Sequence, residues 1–390
     1  MSPTPGPAEG VEGVEGGDEA REALLRLVDE RRIIVCCGSG GVGKTTTAAV
    51  VALQAARRGR KTVVVTIDPA KRLADALGLD AAGLTGDPVR IPEVTGDGPG
   101  ELWAMMLDTK STFDALVTKH AADPAQAQRI LGNTFYRNIS EALSGTQEYM
   151  AMEKLYELHG DAAYDLVVVD TPPTRHALDF LDAPRRLSHF LEHRLFRMLV
   201  APRSGLVRAV NVAAQTFLRS VSRVVGGDVI DDAIAFFQAF EGMEEGFRER
   251  ADKVNDLLSD RVSTAFLLVA SARRDTLQEA RFFADRLQEA GIPVEGLIVN
   301  RVHPRFGEGL AEAARSRAET LTGTPLGDLY TNLADLQAVA AREREHLAGL
   351  SGAVASAPVV WVPFLGQDVH DLDGMAEVAR LLFPTALPTA

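Results

Sequence analysis

Short apolar segments rich in β-branched residues recur along the chain, and stretches of helical character separate them. Segments that are apolar at successive positions are typical of strands buried on both faces of a parallel sheet. Their alternation with helices predicts an α/β fold, in which helices flank a mostly parallel sheet. The predicted strands are Ile33–Cys37, Thr62–Ile67, Asp165–Asp170, Thr264–Ala270, Val294–Asn300 and Pro358–Pro363.

Two stretches, Thr109–Gly160 and Ala183–Arg261, contain no convincing strand pattern and are predicted to be helical. We expect them to form an all-helical subdomain inserted into a single domain that spans residues 21–390. Residues 1–20 are rich in Gly, Pro and Glu, a composition that buries too little apolar surface to fold. We therefore expect a disordered tail there.

The acidic composition narrows the classes of function that the chain can have. Its net charge of −13 over 390 residues disfavours binding to nucleic acid or to anionic lipid. No uncharged apolar run approaches the roughly 20 residues that span a bilayer, so no direct membrane insertion is expected. The first residues lack the basic start and apolar middle of a signal peptide, which favours a cytoplasmic location. The two cysteines, Cys36 and Cys37, lie on a predicted buried strand and are expected to pack in the core.

Residues 38–45 (GSGGVGKT) carry the strongest chemical signal. The spacing G-x-x-x-x-G-K-[ST] between a strand and a helix is that of a phosphate-binding P-loop. Such a loop points backbone N–H groups at phosphate oxygens, and the helix that follows adds the positive end of its dipole. Lys44 is expected to reach the β- and γ-phosphates, and the Thr45 hydroxyl to ligate Mg²⁺. The predicted nucleotide contacts are Gly38, Gly40, Gly41, Val42, Gly43, Lys44, Thr45 and Thr46.

Two further predicted strands end in aspartates, Asp68 and Asp170, at the edge of the sheet where ligands bind in parallel folds. Asp68 either orients the attacking water or caps the next helix, since Asp is a good helix cap. Asp170 ends an apolar strand in the Walker B form, in which the carboxylate reaches Mg²⁺ directly or through water. Helix capping is the alternative for Asp170 too, and the P-loop favours the metal role.

The ends of the last two predicted strands supply candidates for contact with the base. Asn300 could donate to or accept from the adenine edge, and the loop at Pro363 and Phe364 could pack on the ring. A single asparagine at a strand end is also a common turn residue, so this assignment is open on the residues alone.

Together these segments resemble a known family. Residues 38–45 are similar to the deviant Walker A motif, G-K-G-G-V-G-K-[ST], of the SIMIBI ATPases, which include ArsA, the guided-entry targeting ATPase, MinD, ParA and nitrogenase iron protein. The segment from Asp68 (DPAKRLAD) resembles the D-P-A-H-x-L-x-D switch I of the ArsA and guided-entry branch. The segment from Asp170 (DTPPTRH) resembles its D-T-A-P-T-G-H switch II. The elements around Asn300 and Pro363 look like its adenine loops, and the resemblance runs from about residue 31 to residue 383.

This resemblance implies an ATP-hydrolysing, Mg²⁺-dependent protein that cycles between open and closed dimers. It maps Asp68 onto the aspartate that positions the hydrolytic water, so that Lys44 and Asp68 are the candidate catalytic residues. It implies a protein or membrane-protein client, bound on an apolar surface of the helical region. The alternatives are the ATPase subunit of an anion transporter of the arsenite type and a positioning ATPase like MinD or ParA. The last helical stretch, before Pro384, has one basic residue, which is a poor membrane footprint.

Departures from the family pattern exclude some of its activities. Arsenite-binding members use separated cysteines, and many guided-entry members hold zinc between subunits through a C-x-x-C pair. With only the adjacent Cys36 and Cys37, a three-thiolate arsenite site cannot form within one chain and no zinc bridge is expected.

Ser39 stands where the family has its signature lysine, which reaches the γ-phosphate bound to the other subunit. A homodimer of this chain would lack that lysine in both sites. Either a heterodimer with a lysine-bearing paralogue restores it, or a nearby cation such as Lys71 or Arg175 compensates. Methionines in the predicted helical region suit an adaptable apolar surface, although internal packing is the commoner reason for them. They include Met105, Met106, Met150, Met152, Met198 and Met243.

Overall fold

An eight-stranded sheet lies at the centre of the described part of the chain. The computed structural model describes residues 17–68, 72–78, 84, 86–92, 99–137, 146–161, 163–172, 183, 232, 235–236, 238–240, 242–306, 310–351, 354 and 357–384. The strands are β1 (Ile33–Gly38), β2 (Lys61–Thr66), β3 (Val89–Arg90), β4 (Glu101–Met106), β5 (Leu166–Asp170), β6 (Thr264–Ser271), β7 (Val294–Val302) and β8 (Val359–Pro363).

The strand order across the sheet is β3-β4-β2-β5-β1-β6-β7-β8. Every pairing is parallel except that of β3 with β4, which is antiparallel at the edge. The predicted α/β class and all of the strands predicted from the sequence are confirmed, with ends that differ by one or two residues. β3 and β4 were not predicted. β4 reads ELWAMM, without a β-branched residue, and β3 is only two exposed residues long, so neither carries a strand signal.

Helices cover the sheet. They are α1 (Asp18–Glu30), α2 (Lys44–Arg57), α3 (Arg72–Leu77), α4 (Thr109–His120), α5 (Pro124–Leu131), α6 (Thr146–Gly160), α7 (Glu244–Ser259), α8 (Arg274–Glu289), α9 (Ala311–Thr320), α10 (Pro325–Ser351) and α11 (Leu372–Leu382). Local signals set several of their ends. The Asp123 carboxylate caps α5 by accepting from the Gln126 N–H at 2.7 Å, and Pro124 occupies the first turn, where its missing N–H costs nothing.

The core lies on both faces of the sheet, which explains the continuous apolar strands. Along β1, Val35 and Cys37 pack into one buried cluster, whereas Ile34 and Cys36 pack into the other, because successive side chains of a strand point to opposite faces. Both cysteines are fully buried, as the sequence predicted. No helix among the described residues is long and apolar enough to cross a membrane.

The predicted helical stretch at residues 109–160 contains α4, α5 and α6, with α5 beginning at Pro124 and ending before Gly132. Of the second predicted stretch, residues 183–261, the structure describes α7 and a few residues before it. The buried Glu153 of α6 pairs with Arg250 of α7, so the two stretches meet. Their status as one inserted subdomain stays a prediction.

Two other predictions, the disordered tail and the methionine-rich client surface, can be compared with the structure in part. Residues 18–20, assigned to the tail from their composition, form the first turn of α1, where Asp18 and Glu19 favour the positive end of the helix dipole. Residues 1–16 lie outside the described residues. The assignment of Met105 and Met106 to the helical region was wrong, because both lie on β4. Met105, Met150, Met152 and Met243 are buried in the core, and Met198 is outside the described residues.

Candidate functional site

The glycine loop joins β1 to α2 at the carboxyl edge of the sheet, and two of its glycines are required by space as well as by conformation. Gly38 has φ of 150°, and a Cβ there would lie 2.0 Å from the Val269 carbonyl oxygen. Gly43 has φ of 97°, and a Cβ there would lie 2.3 Å from Nδ2 of Asn300. An L side chain at position 38 would displace the backbone of β6, and one at position 43 would displace the Asn300 amide and strain the backbone at its positive φ.

Lys44 begins α2 and is almost fully buried, with its ammonium donating to the Ser39 carbonyl at 2.9 Å. The helix starts without a side-chain cap, because Gly43 occupies the N-cap position. Its first backbone N–H groups are therefore available to an anion. The lysine and the helix end together make the inner wall of the loop positively charged.

Asp170, at the end of β5, is fully buried beneath the loop. Its Oδ2 accepts from the Thr45 hydroxyl at 2.8 Å and from the Thr66 hydroxyl at 2.9 Å. Its Oδ1 is buried and has no hydrogen-bond partner among the described residues. Burial raises the pKa of the Asp170 carboxyl to about 6, against the lowering effect of the two hydroxyl hydrogen bonds and of nearby Lys44.

This cluster fits a magnesium ion. The Thr45 hydroxyl and the Asp170 carboxylate are hard oxygen ligands of the kind that Mg²⁺ prefers. The unpaired, buried Oδ1 of Asp170 is an oxygen whose burial is costly until a cation or a water binds it. The sequence predicted both residues but missed Thr66, whose position two residues before Asp68 could have identified it.

Asp68 follows β2 and lines a cavity of about 360 Å³ in front of the loop. Its backbone N–H donates to the Thr66 hydroxyl at 3.2 Å, and that hydroxyl in turn donates to Asp170. One threonine therefore links the backbone of Asp68 to the candidate metal ligand. The residues between Asp68 and Arg72, where α3 begins, are outside the described residues, so the alternative of a helix cap stays open.

Of the predicted phosphate contacts, those nearest the helix line this phosphate cavity: Gly41, Gly43, Lys44, Thr45 and Thr46. Gly38, Gly40 and Val42 are part of the loop but are not among the residues that line it. Asp75, Ala76, Thr171, Arg301 and Val369 complete the lining, and none of these was predicted as a contact.

A second cavity, of about 460 Å³, adjoins the first and is the candidate base cavity. The three predicted adenine contacts, Asn300, Pro363 and Phe364, all line it. Phe364 is 59% exposed, so its ring is open to a planar ligand. The two cavities share Gly43, Thr46, Arg301 and Val369, so the candidate phosphate-binding and base-binding surfaces lie side by side.

Asn300 itself is tied to the loop. Its Nδ2 donates to the Val42 carbonyl at 2.9 Å, and its Oδ1 accepts from the backbone N–H of Arg301 at 2.9 Å. The asparagine thus braces the glycine loop against β7, a role that its position at a strand end did not reveal. Adenine contact by Asn300 stays a prediction.

Ser39, which the sequence resemblance aligns with the signature lysine, is 1% exposed, and its hydroxyl has no hydrogen-bond partner among the described residues. The Ser39 side chain therefore does not reach the surface of the described part of the chain. The two cations proposed to compensate for it, Lys71 and Arg175, lie outside the described residues.

The proteins to which this chain is similar are described as ATPases. A family profile described as anion-transporting ATPase matches residues 31–320. The chain is 26% identical over 248 residues to an ATPase get3 of Aspergillus terreus, covering 63% of this chain and 66% of that protein. It is 24% identical over 344 residues to the ATPase ASNA1 homolog 2 of Paramecium tetraurelia, covering 85% of this chain and 88% of that protein. The match thus spans slightly less than two thirds of the Aspergillus protein.

Proposed function

Because this chain belongs to the anion-transporting ATPase family, we propose that it binds ATP with Mg²⁺ and hydrolyses the γ-phosphate bond. The observation that carries this proposal is the convergence of Lys44, Thr45, Asp68 and Asp170 on one cavity. Lys44, Thr45 and Asp68 line that cavity, and Asp170 lies directly beneath Thr45.

Lys44 would leave the Ser39 carbonyl and bind the β- and γ-phosphates when nucleotide enters. The exchange is favourable because a charge-assisted hydrogen bond to phosphate is stronger than one to a neutral carbonyl. The N–H groups at the start of α2 would bind the same phosphates.

Thr45 and Asp170 would hold the magnesium ion, the carboxylate acting directly or through water. Bound there, the metal neutralises charge on the β- and γ-phosphate oxygens. The Thr66 hydroxyl keeps Oδ2 of Asp170 oriented, and Oδ1 has no hydrogen-bond partner among the described residues. Asp68 would accept a hydrogen bond from the attacking water and orient it for in-line attack on the γ-phosphate.

We further propose that the cycle is that of a dimer which closes on ATP and opens after hydrolysis, as the guided-entry resemblance implies. A contact that would transmit the nucleotide state is visible in the helical region. Gln147, in the first turn of α6, donates to the Ile67 carbonyl at 2.7 Å, one residue before Asp68. Movement of Asp68 would therefore pull on α6, and an apolar client bound by the helices would experience the change.

The test of the catalytic proposal uses three variants and one control. Lys44→Ala should abolish ATP binding. Asp68→Asn should bind ATP but not release phosphate, and Asp170→Asn should lose the Mg²⁺ dependence of ATP affinity. Asp256→Asn, an exposed carboxylate on α7 remote from the cavity lining, should behave as wild type. Normal phosphate release by Asp68→Asn would assign this aspartate to helix capping.

Transport of a thiol-seeking anion is the alternative within the family, and the cysteines argue against it. Both thiols are fully buried on opposite faces of β1, and Cys37 donates to the Leu267 carbonyl. Arsenite should therefore not stimulate ATP hydrolysis. Stimulation that persists in the Cys36→Ser, Cys37→Ser double variant would reveal a site without thiols.

The proposal of a heterodimer with a lysine-bearing paralogue depends on Ser39. If a lysine-bearing paralogue completes the site, the isolated chain should hydrolyse ATP slowly and mixing with the paralogue should accelerate it. Loss of a finger residue typically slows hydrolysis by about 10³–10⁵-fold. Full activity of the isolated chain, unchanged by Ser39→Lys, would instead indicate a functional homodimer. A positioning ATPase should sediment with liposomes or DNA in the presence of ATP, whereas neither the heterodimer nor the homodimer should.

A further inference from the structure

Arg301 stands out in the site because of its backbone. It has φ of 59° and is the one residue other than glycine with a left-handed backbone among the described residues. A conformation of this kind costs an arginine of order 1 kcal/mol and persists where the surrounding structure holds it. Here the Asn300 side chain holds it, by accepting from the Arg301 N–H at 2.9 Å.

The left-handed turn places the guanidinium on the glycine loop. Its Nη1 donates to the Gly41 carbonyl at 3.0 Å, across 260 residues of sequence. A guanidinium carries five N–H donors in a planar fork that matches phosphate oxygens, so several donors remain after this one bond. The side chain is exposed and can meet a ligand that arrives from solvent.

Arg301 also lies between the candidate phosphate-binding and base-binding surfaces. It is among the four residues that line both the phosphate cavity and the base cavity. Lys44 and Arg301 are the basic side chains among the described residues that line the phosphate cavity, against the acidic Asp68 and Asp75. With Asp170 buried beneath them, carboxylates outnumber the single charge of Lys44 around this cavity, so a second basic side chain favours a polyanionic ligand.

We infer that Arg301 binds the phosphate chain of the nucleotide within the same subunit, at the junction of the two cavities. It supplies there a positive charge that Ser39 cannot supply. This inference rests on the proposed nucleotide binding, and it differs from compensation by Lys71 or Arg175 because the cation comes from the end of β7. It makes the loop after β7 a phosphate-binding element as well as a base-binding one.

The test compares ATP and ADP affinity, by calorimetry, in Arg301→Gly, Arg301→Lys and the control Arg305→Ala. Glycine keeps the left-handed backbone and the N–H that Asn300 accepts from, while it removes the guanidinium. Arg305 is an exposed arginine of the same loop that lines neither cavity. Arg301→Gly should weaken both nucleotides about 10–100-fold, the effect of one lost charge-assisted hydrogen bond. Arg301→Lys should recover part of the loss.

Salt separates phosphate binding from support of the loop. If Arg301 contacts phosphate, raising NaCl should weaken ATP binding less in Arg301→Gly than in wild type, because a screened charge pair has been removed. A loss of affinity with unchanged salt dependence would assign Arg301 to holding Gly41, and affinity equal to that of Arg305→Ala would overturn the inference. Failure of the wild type to bind ATP would instead refute the proposed function.

Discussion

The ion pair between α6 and α7 allows a quantitative test of what holds the helical region together. Arg250 bonds Oε1 of Glu153 at 2.6 Å, and its guanidinium lies 3.8 Å from the ring centroid of Tyr156. The side chains of Glu153 and Arg250 are 5% and 14% exposed. Oε2 of Glu153 has no hydrogen-bond partner among the described residues. Removal of Arg250 would leave this carboxylate buried without its counter-charge.

The perturbation is Arg250→Met, which keeps an apolar stem against Tyr156 and removes the charge. The Glu153 carboxylate would then stay buried without its counter-charge. Breaking a buried pair by removing one partner costs roughly 3–5 kcal/mol, so the free energy of unfolding should fall by about that amount at pH 7.

Urea unfolding followed by circular dichroism at pH 7 measures this loss. The matched control is Arg248→Met, on the same helix, whose side chain is 42% exposed and lies 3.8 Å from Glu245. Exposed pairs contribute about 0–1 kcal/mol, so the control should change little. A double variant, Glu153→Leu with Arg250→Leu, should recover most of the stability because no charge remains buried. A loss of stability in Arg250→Met no larger than that in Arg248→Met would refute the argument.

Three further outcomes are expected. The thiols of Cys36 and Cys37, whose pKa values burial raises, should not react with a thiol reagent at pH 8 until the chain is unfolded, when two thiols per chain should react. The pKa of His120 is lowered by burial, so the folded chain should lose stability as pH falls below about 6.5, the reference value. His120→Gln should lose less between pH 7.5 and pH 5.5, and parallel unfolding curves would contradict this. Gly43→Ala should sharply weaken ATP binding, because position 43 has a positive φ and a Cβ there would lie 2.3 Å from the Asn300 amide nitrogen. The control Gly366→Ala, which has open space around it, should not weaken binding.

Local patterns in the sequence were enough for the sheet and the loop. A buried parallel strand must be apolar at successive positions, so β1 and β5 are visible without knowledge of their neighbours. The glycine loop is equally local, since its backbone N–H groups and Lys44 act within one turn between a strand and a helix. The same locality explains why β4 was missed, because its strand character comes from pairing with β2 and not from its own residues.

The tertiary structure decided how the site is held and charged. Asn300 and Arg301 reach the loop at Val42 and Gly41, contacts across 258 and 260 residues that no spacing rule encodes. The burial of Ser39 and the unpaired oxygen of Asp170 likewise depend on what packs around them. A sequence states which groups could bind phosphate. Which of them share a cavity depends on strand order, because parallel strands bring distant segments together at one edge of the sheet.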